Sequence, residues 1–259
     1  MSAGVPAPGV AAVGEPAGAR SREADSTRGP GRCEIKFALP GADVGKISAI
    51  LGANARRETF GRTPVSQVNS IYFDDASLSA CHESISGIGR RSKVRLRWYD
   101  RPLPDDRLFF ELKSRRNQVS WKERVLISAQ GPLAARPYPD LLRQIGSRLS
   151  ESQASHLCGR DQPVVLVSYR RQHFSDRSTG VRATLDYDIV GYDQTGCASP
   201  RRGVPSALEG LVVIEVKAAS IDVDLVRQIL HPLTPRRTRC SKYVLCCQRL
   251  GWLNLEASG

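Results

Sequence analysis

The chain has 259 residues, 41% of them hydrophobic, which is enough for one large domain or two small ones with a core that needs no staples. Its formal charge of +12 points to a polyanionic partner: nucleic acid, an anionic membrane surface or phosphate-rich small molecules. The seven cysteines, at 33, 81, 158, 197, 240, 246 and 247, are odd in number and contain no Cys-x-x-Cys pair; they argue against a zinc site or a disulfide framework and for reduced thiols in a cytoplasm.

Residues 1–31 are rich in Ala, Gly and Pro and carry no aromatic residue or apolar periodicity, so they are expected to form a disordered tail. Arg20, Arg22 and Arg28 are matched there by Glu15, Glu23 and Asp25, which leaves the whole positive charge to a domain expected over 32–255. No stretch reaches the length of a transmembrane helix, so a soluble chain is expected. RCEIKF (32–37) alternates charged and apolar residues, the pattern of a strand. Asp43 is placed to cap a helix over VGKISAILGANARR (44–57). Strands follow over VNSIYFDD (68–75), RSKVRLRWYD (91–100), its hairpin partner RLFFELKS (107–114), and WKERVLIS (121–128). YPDLLRQIGSRL (138–149) reads as a helix. PVVLVSYRRQHF (163–174), GVRATLDYDIVGY (180–192) and GLVVIEVKA (210–218) are again strands. Two helices end the chain, SIDVDLVRQILHPL (220–233), capped by Ser220 or Asp222, and SKYVLCCQRLGWL (241–253). Roughly eight strands with antiparallel-style connections predict an α+β chain whose sheet closes into an antiparallel β-barrel with flanking helices, rather than a doubly wound parallel sheet.

Residues two apart on a strand share a face, and here the shared faces are charged. Glu34 pairs with Lys36, Glu111 with Lys113 and Glu215 with Lys217; Lys93, Arg95 and Arg97 form a triplet; Arg182, Thr184 and Asp186 continue the theme. A sheet with one solvated face would show charges too. The restriction to Lys, Arg and Glu, with Ser, Gln and Asn scarce, fits better with charged faces that line an interior. Such an interior repels itself unless a polyanion occupies it. Arg binds phosphate oxygens bidentately and Lys acts as a point charge, so a chain of phosphates suits the lining. Carboxylates among phosphates are then explained by a divalent metal, Mg²⁺ or Mn²⁺, and the chemistry by metal-assisted phosphoryl transfer.

In order along the chain, RCEIKF, SIYFDD, KVRLRWYD, FFELK, WKER, SYRR, VRATLD, VVIEVK and SKY resemble the VTC domain, the polyphosphate polymerase domain of the vacuolar transporter chaperone family. That family belongs to the triphosphate tunnel metalloenzymes, and the resemblance spans about residues 32 to 250. The related CYTH branch opens on Glu-x-Glu-x-Lys; Arg32 at the first of those positions is similar to the VTC branch instead. The resemblance implies an antiparallel tunnel fold in which Lys36, Arg95, Arg97, Lys113, Arg170, Arg182, Lys217, Arg239 and Lys242 grip phosphate, with Ser241 adding a hydroxyl. It implies Glu215 as metal ligand, with Glu34 and Glu111 lining the same tunnel as further metal ligands, and Lys36, Arg95, Arg97, Lys113 and Glu215 as the catalytic set. A further family arginine has no equivalent in ACHESISG, which leaves Arg90 or Arg91 for that role.

The activity implied is transfer of the γ-phosphoryl group of ATP to a growing polyphosphate chain, dependent on Mn²⁺ or Mg²⁺. A triphosphatase acting on inorganic triphosphate or nucleoside triphosphates, and a non-catalytic polyphosphate sensor, stay open. ATP and polyphosphate are the expected partners. Product would be released into the cytoplasm unless a separate membrane protein takes it up. Trp98, Tyr99 and Trp121 lie near basic residues, but no nucleic-acid motif accompanies them, so nucleic acid is not expected as a partner. His82, His156, His173 and His231 share no spacing and read as structural or surface residues.

Overall fold

The computed structural model describes residues 33–60, 63–117, 119–129, 131–218 and 223–253. The expected tail, Arg32 and the two cap candidates Ser220 and Asp222 lie outside them. In chain order the elements are β1 (Cys33–Pro40), α1 (Val44–Asn54), β2 (Arg56–Glu58), β3 (Val65–Asp74), α2 (Ser79–Ile85), β4 (Arg90–Tyr99), β5 (Arg107–Arg116) and β6 (Val119–Ser128). They continue with α3 (Tyr138–Gly146), α4 (Glu151–Cys158), β7 (Gln162–Ser175), β8 (Arg182–Asp193), β9 (Pro205–Ala207), β10 (Leu211–Ala218), α5 (Val223–Leu230) and α6 (Lys242–Arg249).

One antiparallel sheet runs β1-β10-β8-β7-β3-β4-β5-β6, with β2 added to β7 and β9 to β8. The sheet curls until its ends, β1 and β6, approach each other. The expected barrel therefore stays open along one seam, because no hydrogen-bonded ladder joins those two strands. Strand alternation decides what the curl encloses. The apolar faces point outward and are covered by helices; the charged faces point inward. Ile35, Phe37, Ile214, Val216 and Leu185 pack under α1 and α5, against Ile47, Leu51, Val226 and Ile229. Val94, Leu96, Phe110, Leu112 and Val125 pack under α3 and α4, against Leu141, Ile145 and Leu157. Burying each large side chain of this kind contributes about 1.5–3 kcal/mol, so the outward faces supply most of what holds the sheet and its helices together.

A third cluster lies inside the curl. Tyr72, Val165, Val167, Ile189 and Val213 receive α6 through Tyr243, Val244, Cys246 and Cys247. Gly191 makes this approach possible: a Cβ there would meet Cys246 Cβ at 3.0 Å. The helix thereby plugs the apolar part of the concave face and presents its first residue to the charged part.

Asp43 caps α1 as expected, its carboxylate accepting from the Lys46 amide. That helix ends three residues early, however. Ala55 is extended, and Arg56–Glu58 form β2 against the end of β7, pairing the edge of His173–Ser175 that lies beyond the β3 ladder and that further helix would have left open. The short elements α2, α4, β2 and β9 were not expected.

Candidate active site

Two charged walls face each other inside the curl. The first is built on β1, β10, β8 and β7. Glu34 lies directly opposite Lys217 and Lys36 directly opposite Glu215, so each Glu-x-Lys strand answers the other with reversed charge. Lys36 Nζ sits 3.0 Å from Glu34 Oε1 and 3.1 Å from Glu215 Oε1. Lys217 donates to Glu215 Oε2 at 2.9 Å, and Arg171 reaches the same oxygen at 3.3 Å. Arg171 also grips Asp186 through two bonds of 2.5 and 2.6 Å. Lys242, delivered by the start of α6, lies 2.6 Å from Asp186 and 3.5 Å from Glu215. Burial alone would raise the Glu215 carboxyl, but Lys217, Lys36, Lys242 and Arg171 hold it well below the usual carboxylate range.

The second wall is β4, β5 and β6, centred on the fully buried Glu111. Arg95 Nε and Nη2 donate to Glu111 Oε2 at 2.8 and 2.6 Å, and Arg97 lies 3.7 Å away. Arg124 and Lys122 approach the other oxygen at 3.1 and 3.5 Å. Arg95 Nη1 also donates to the Tyr72 hydroxyl, and Arg97 donates through Nε to Ser70 and through Nη2 to Tyr169, which leaves further N–H groups on both guanidiniums. Glu111 thus holds an arginine clamp in place. The walls are linked by Lys113, which reaches across the seam to Glu34 at 3.2 Å.

Lys93 stands between them. Its ammonium donates to Ser241 at 2.8 Å and lies over the Tyr243 ring, with Lys113 directly opposite on β5. Burial first, then Lys36 and Lys113, bring its pKa down to about 7. In all, ten cations (Lys36, Lys93, Arg95, Arg97, Lys113, Lys122, Arg124, Arg171, Lys217 and Lys242) share this interior with four carboxylates (Glu34, Glu111, Asp186 and Glu215). Among the described residues the formal excess is six positive charges, and an incoming anion would both neutralise it and favour the charged form of Lys93.

Of the residues expected from the sequence, Lys36, Arg95, Arg97, Lys113, Lys217, Lys242, Glu34, Glu111 and Glu215 converge here. Arg182 lies directly opposite Lys217 at the exposed end of the same face. Arg239 is exposed at the rim, its guanidinium over Gly87, within 2.5 Å of where a Cβ would stand. Arg170 needs correcting. It lies on the outer face, largely exposed, 3.6 Å from Asp188, and its neighbour Arg171 is the one that enters the site. The SYRR motif offers two adjacent arginines, and strand alternation allows only one of them inside. An extra residue in β8 next to this point, with Asp188 in the left-handed conformation at φ 51°, shifts the register between the pairs Ser168–Val190 and Arg170–Tyr187. The inward side of β8 thereby changes from charged Asp186 to apolar Ile189, which packs with α6.

The sequence reading also missed Lys93, Arg171 and Asp186 as site residues. Lys93 and Asp186 stand on faces already read as charged, where face parity would have placed them; parity could not choose Arg171 over Arg170. His173 lies opposite Thr184 on β8, and burial with Arg171 lowers its pKa to about 4.

Fit to a divalent cation is selective. Among the described residues no group of three His, Cys, Asp or Glu could hold a metal. Glu111, like Glu215, is enclosed by four cations, but its network brings in no second carboxylate among the described residues, which argues against the expected metal role for it. Glu215 fits better. It shares the Lys36 ammonium with Glu34, and Thr184, directly opposite it on β8, has a buried hydroxyl with no hydrogen-bond partner. One or two hard protein oxygens, completed by phosphate and water, is the usual surrounding of Mg²⁺.

An antiparallel sheet curled around a cation-rich interior, with its apolar faces turned out to helices, is the architecture that the resemblance implied. The VTC domain family matches residues 31–250, and the chain belongs to that family. Solved structures with a similar outline include a protein from Pyrococcus horikoshii OT3, 14% identical, covering 83% of this chain and 99% of its own, with a TM-score of 0.46. A candidate adenylyl cyclase from Hippeastrum, described as having a dominant triphosphatase activity, is 17% identical over 86% of this chain and 98% of its own, with a TM-score of 0.44. An inorganic triphosphatase is 14% identical over 83% and 93%, with a TM-score of 0.33. No curated protein matches the chain. No helix among the described residues is long and apolar enough to cross a membrane.

Proposed function

We propose that the chain is a polyphosphate polymerase that transfers the γ-phosphoryl group of ATP to the end of a polyphosphate chain, with ADP as the second product. The observation that carries this reading is the six-charge excess of cations spread over two facing walls, supported by membership of the VTC domain family. An acceptor phosphate oxygen attacks the γ-phosphorus and the bond to the β–γ bridging oxygen breaks, so that the acceptor grows by one unit. The attacking oxygen is already anionic, so the step requires neither a side-chain nucleophile nor a general base.

Arg95 and Arg97, fixed by Glu111, are oriented to hold equatorial oxygens of the transferred group. Lys36, Lys113, Lys217 and Lys242 offset the charge of the flanking phosphates, and Arg171 with Asp186 keeps Lys242 in place. Arg182 and Arg239 extend the grip to the rim. Glu215, with Glu34 beside it, would hold Mg²⁺ or Mn²⁺, which when bound supplies Lewis-acid neutralisation of phosphate oxygens. Positioning and charge compensation of this kind account for most of the catalysis in phosphoryl transfer.

The test is incubation of purified protein with ATP and Mn²⁺ or Mg²⁺, scoring ADP, free phosphate and polymer separately. Polymer formed in step with ADP is expected. Free phosphate without polymer would assign water as the acceptor and make the chain a triphosphatase.

A further inference from the structure

A cavity of about 630 Å³ opens beside the end of the β4–β5 hairpin, on the far side of the sheet from the site, lined by residues of β4, β5 and β6 and by Glu83, His156 and Arg160. Arg90 lies directly opposite Arg116, and Arg91 directly opposite Arg115. Like charges facing each other across a ladder destabilise it. Among the described residues no carboxylate lies within 4 Å of any of the four. Glu83, the acidic residue of the lining, is already engaged by Arg160 at 3.3 Å. Arg160 is itself held in place, donating to the Ser92 carbonyl at 2.8 Å.

Alternation connects this cavity to the tunnel. Arg91 and Arg115 share the inner face with Lys93 and Lys113, whereas Arg90 and Arg116 share the outer face with Ser92 and Ser114. Cations therefore continue without a break from the interior, around the hairpin end, to the outer pocket. Arg91 feels Arg115 and the rim residue Arg239, and burial with these neighbours lowers its pKa. A compact ligand would use one side of the hairpin; a linear polyanion can use both. Among the described lining residues Trp121 is the one Phe, Tyr or Trp, against five arginines, which favours a phosphate chain over nucleic acid.

We propose that this arginine collar is a second anion site, which binds the stretch of a phosphate chain lying outside the tunnel. The proposal rests on the reading of the interior as a phosphate-chain site, and the test separates the two. Tripolyphosphate and long-chain polyphosphate are titrated calorimetrically into wild type and the Arg90→Gln/Arg116→Gln variant, each also prepared with Trp98 and Trp252 changed to Phe so that fluorescence followed in parallel reports Trp121. Of the two arginines expected to serve the tunnel, Arg91 alone shares the inner face; Arg90 and Arg116 are exposed on the outer one and removing them relieves repulsion, so the variant is expected to fold with the interior intact. Its affinity for the long chain should fall about tenfold, with tripolyphosphate affinity unchanged. Equal long-chain affinity in the two proteins overturns the collar while leaving the tunnel reading intact. Loss of long-chain affinity in the variant, with no tripolyphosphate binding in wild type, supports the collar and removes the tunnel reading. Tighter competition by single-stranded RNA than by polyphosphate of equal phosphate number overturns the collar in favour of a nucleic-acid site.

Discussion

Lys113 of β5 and Glu34 of β1 meet at 3.2 Å although their strands share no backbone hydrogen bonds. Side chains thus close the curl where the ladder does not. The same carboxylate holds Lys36 at 3.0 Å, and these two lysines keep it well below the usual carboxylate range despite its burial.

Glu34→Gln should therefore loosen the seam. Both pairs are only partly buried, so the expected loss is about 1–2 kcal/mol in urea denaturation. A depressed folded pKa means that the stabilisation is present above the unfolded value and disappears as pH falls through the folded one. The variant should accordingly lose less stability than wild type on acidification below the ordinary carboxylate range. Polyphosphate affinity should rise, because one of the four carboxylates competing for the cations is gone.

Arg170 and Arg171 differ by one residue and should differ sharply in consequence. Arg171→Ala strands the fully buried Asp186 with Lys242 as its remaining ion-pair partner, at an expected cost of about 3 kcal/mol, together with loss of tripolyphosphate binding. Arg170→Ala removes an exposed pair and should change stability by about 0.5 kcal/mol at most, with binding retained. Thermal melts and calorimetry on the two variants make the comparison.

Glu215→Gln should abolish turnover with ATP and leave polyphosphate binding largely intact, because four cations remain around an uncharged isostere. Arg97→Ala should weaken both. Wild-type turnover in Glu215→Gln would remove the metal role assigned to that carboxylate.

Lys93 gives a pH dependence with a definite sign. Its pKa of about 7 in the folded chain lies below the unfolded value of about 10.4. Below pH 7 the charged form destabilises the fold; between the two values the unfolded chain binds more protons, so this contribution to stability improves as pH rises. The surrounding groups are Lys36, Lys113, Arg91, Cys81, Ser241 and Tyr243. An incoming polyanion favours the charged form, so tripolyphosphate binding at pH 8 should take up protons. Calorimetry in buffers of different ionisation enthalpy measures that uptake, and Lys93→Gln should reduce it.

The fold was largely legible because two periodicities coexist in the strands. Glu-x-Lys at 34, 111 and 215 showed charge on one face, and Ile35, Leu112 and Val216 showed apolar residues on the other. Alternation alone does not say which face is inside. That required helices such as α1 and α5 to cover the apolar side, as Leu51 and Ile229 do. SYRR misled because a two-residue period cannot choose between adjacent arginines, and the bulge at Asp188 lies on the neighbouring strand. Glu111 read as a metal ligand because its four cation partners come from β4 and β6, and their convergence on β5 depends on register that the sequence does not display. The role of α6 was equally hidden: SKYVLCCQRL shows an amphipathic helix but not that its apolar face fills the inside of the curl.

The most direct test of a phosphate-chain interior is a crystal structure of the protein with tripolyphosphate bound. Phosphate density between the two walls, within hydrogen-bond distance of Lys36, Arg95, Arg97 and Lys113, is the predicted result. Phosphate found only on the outer surface, with the Glu111 and Glu215 networks unchanged, would contradict it.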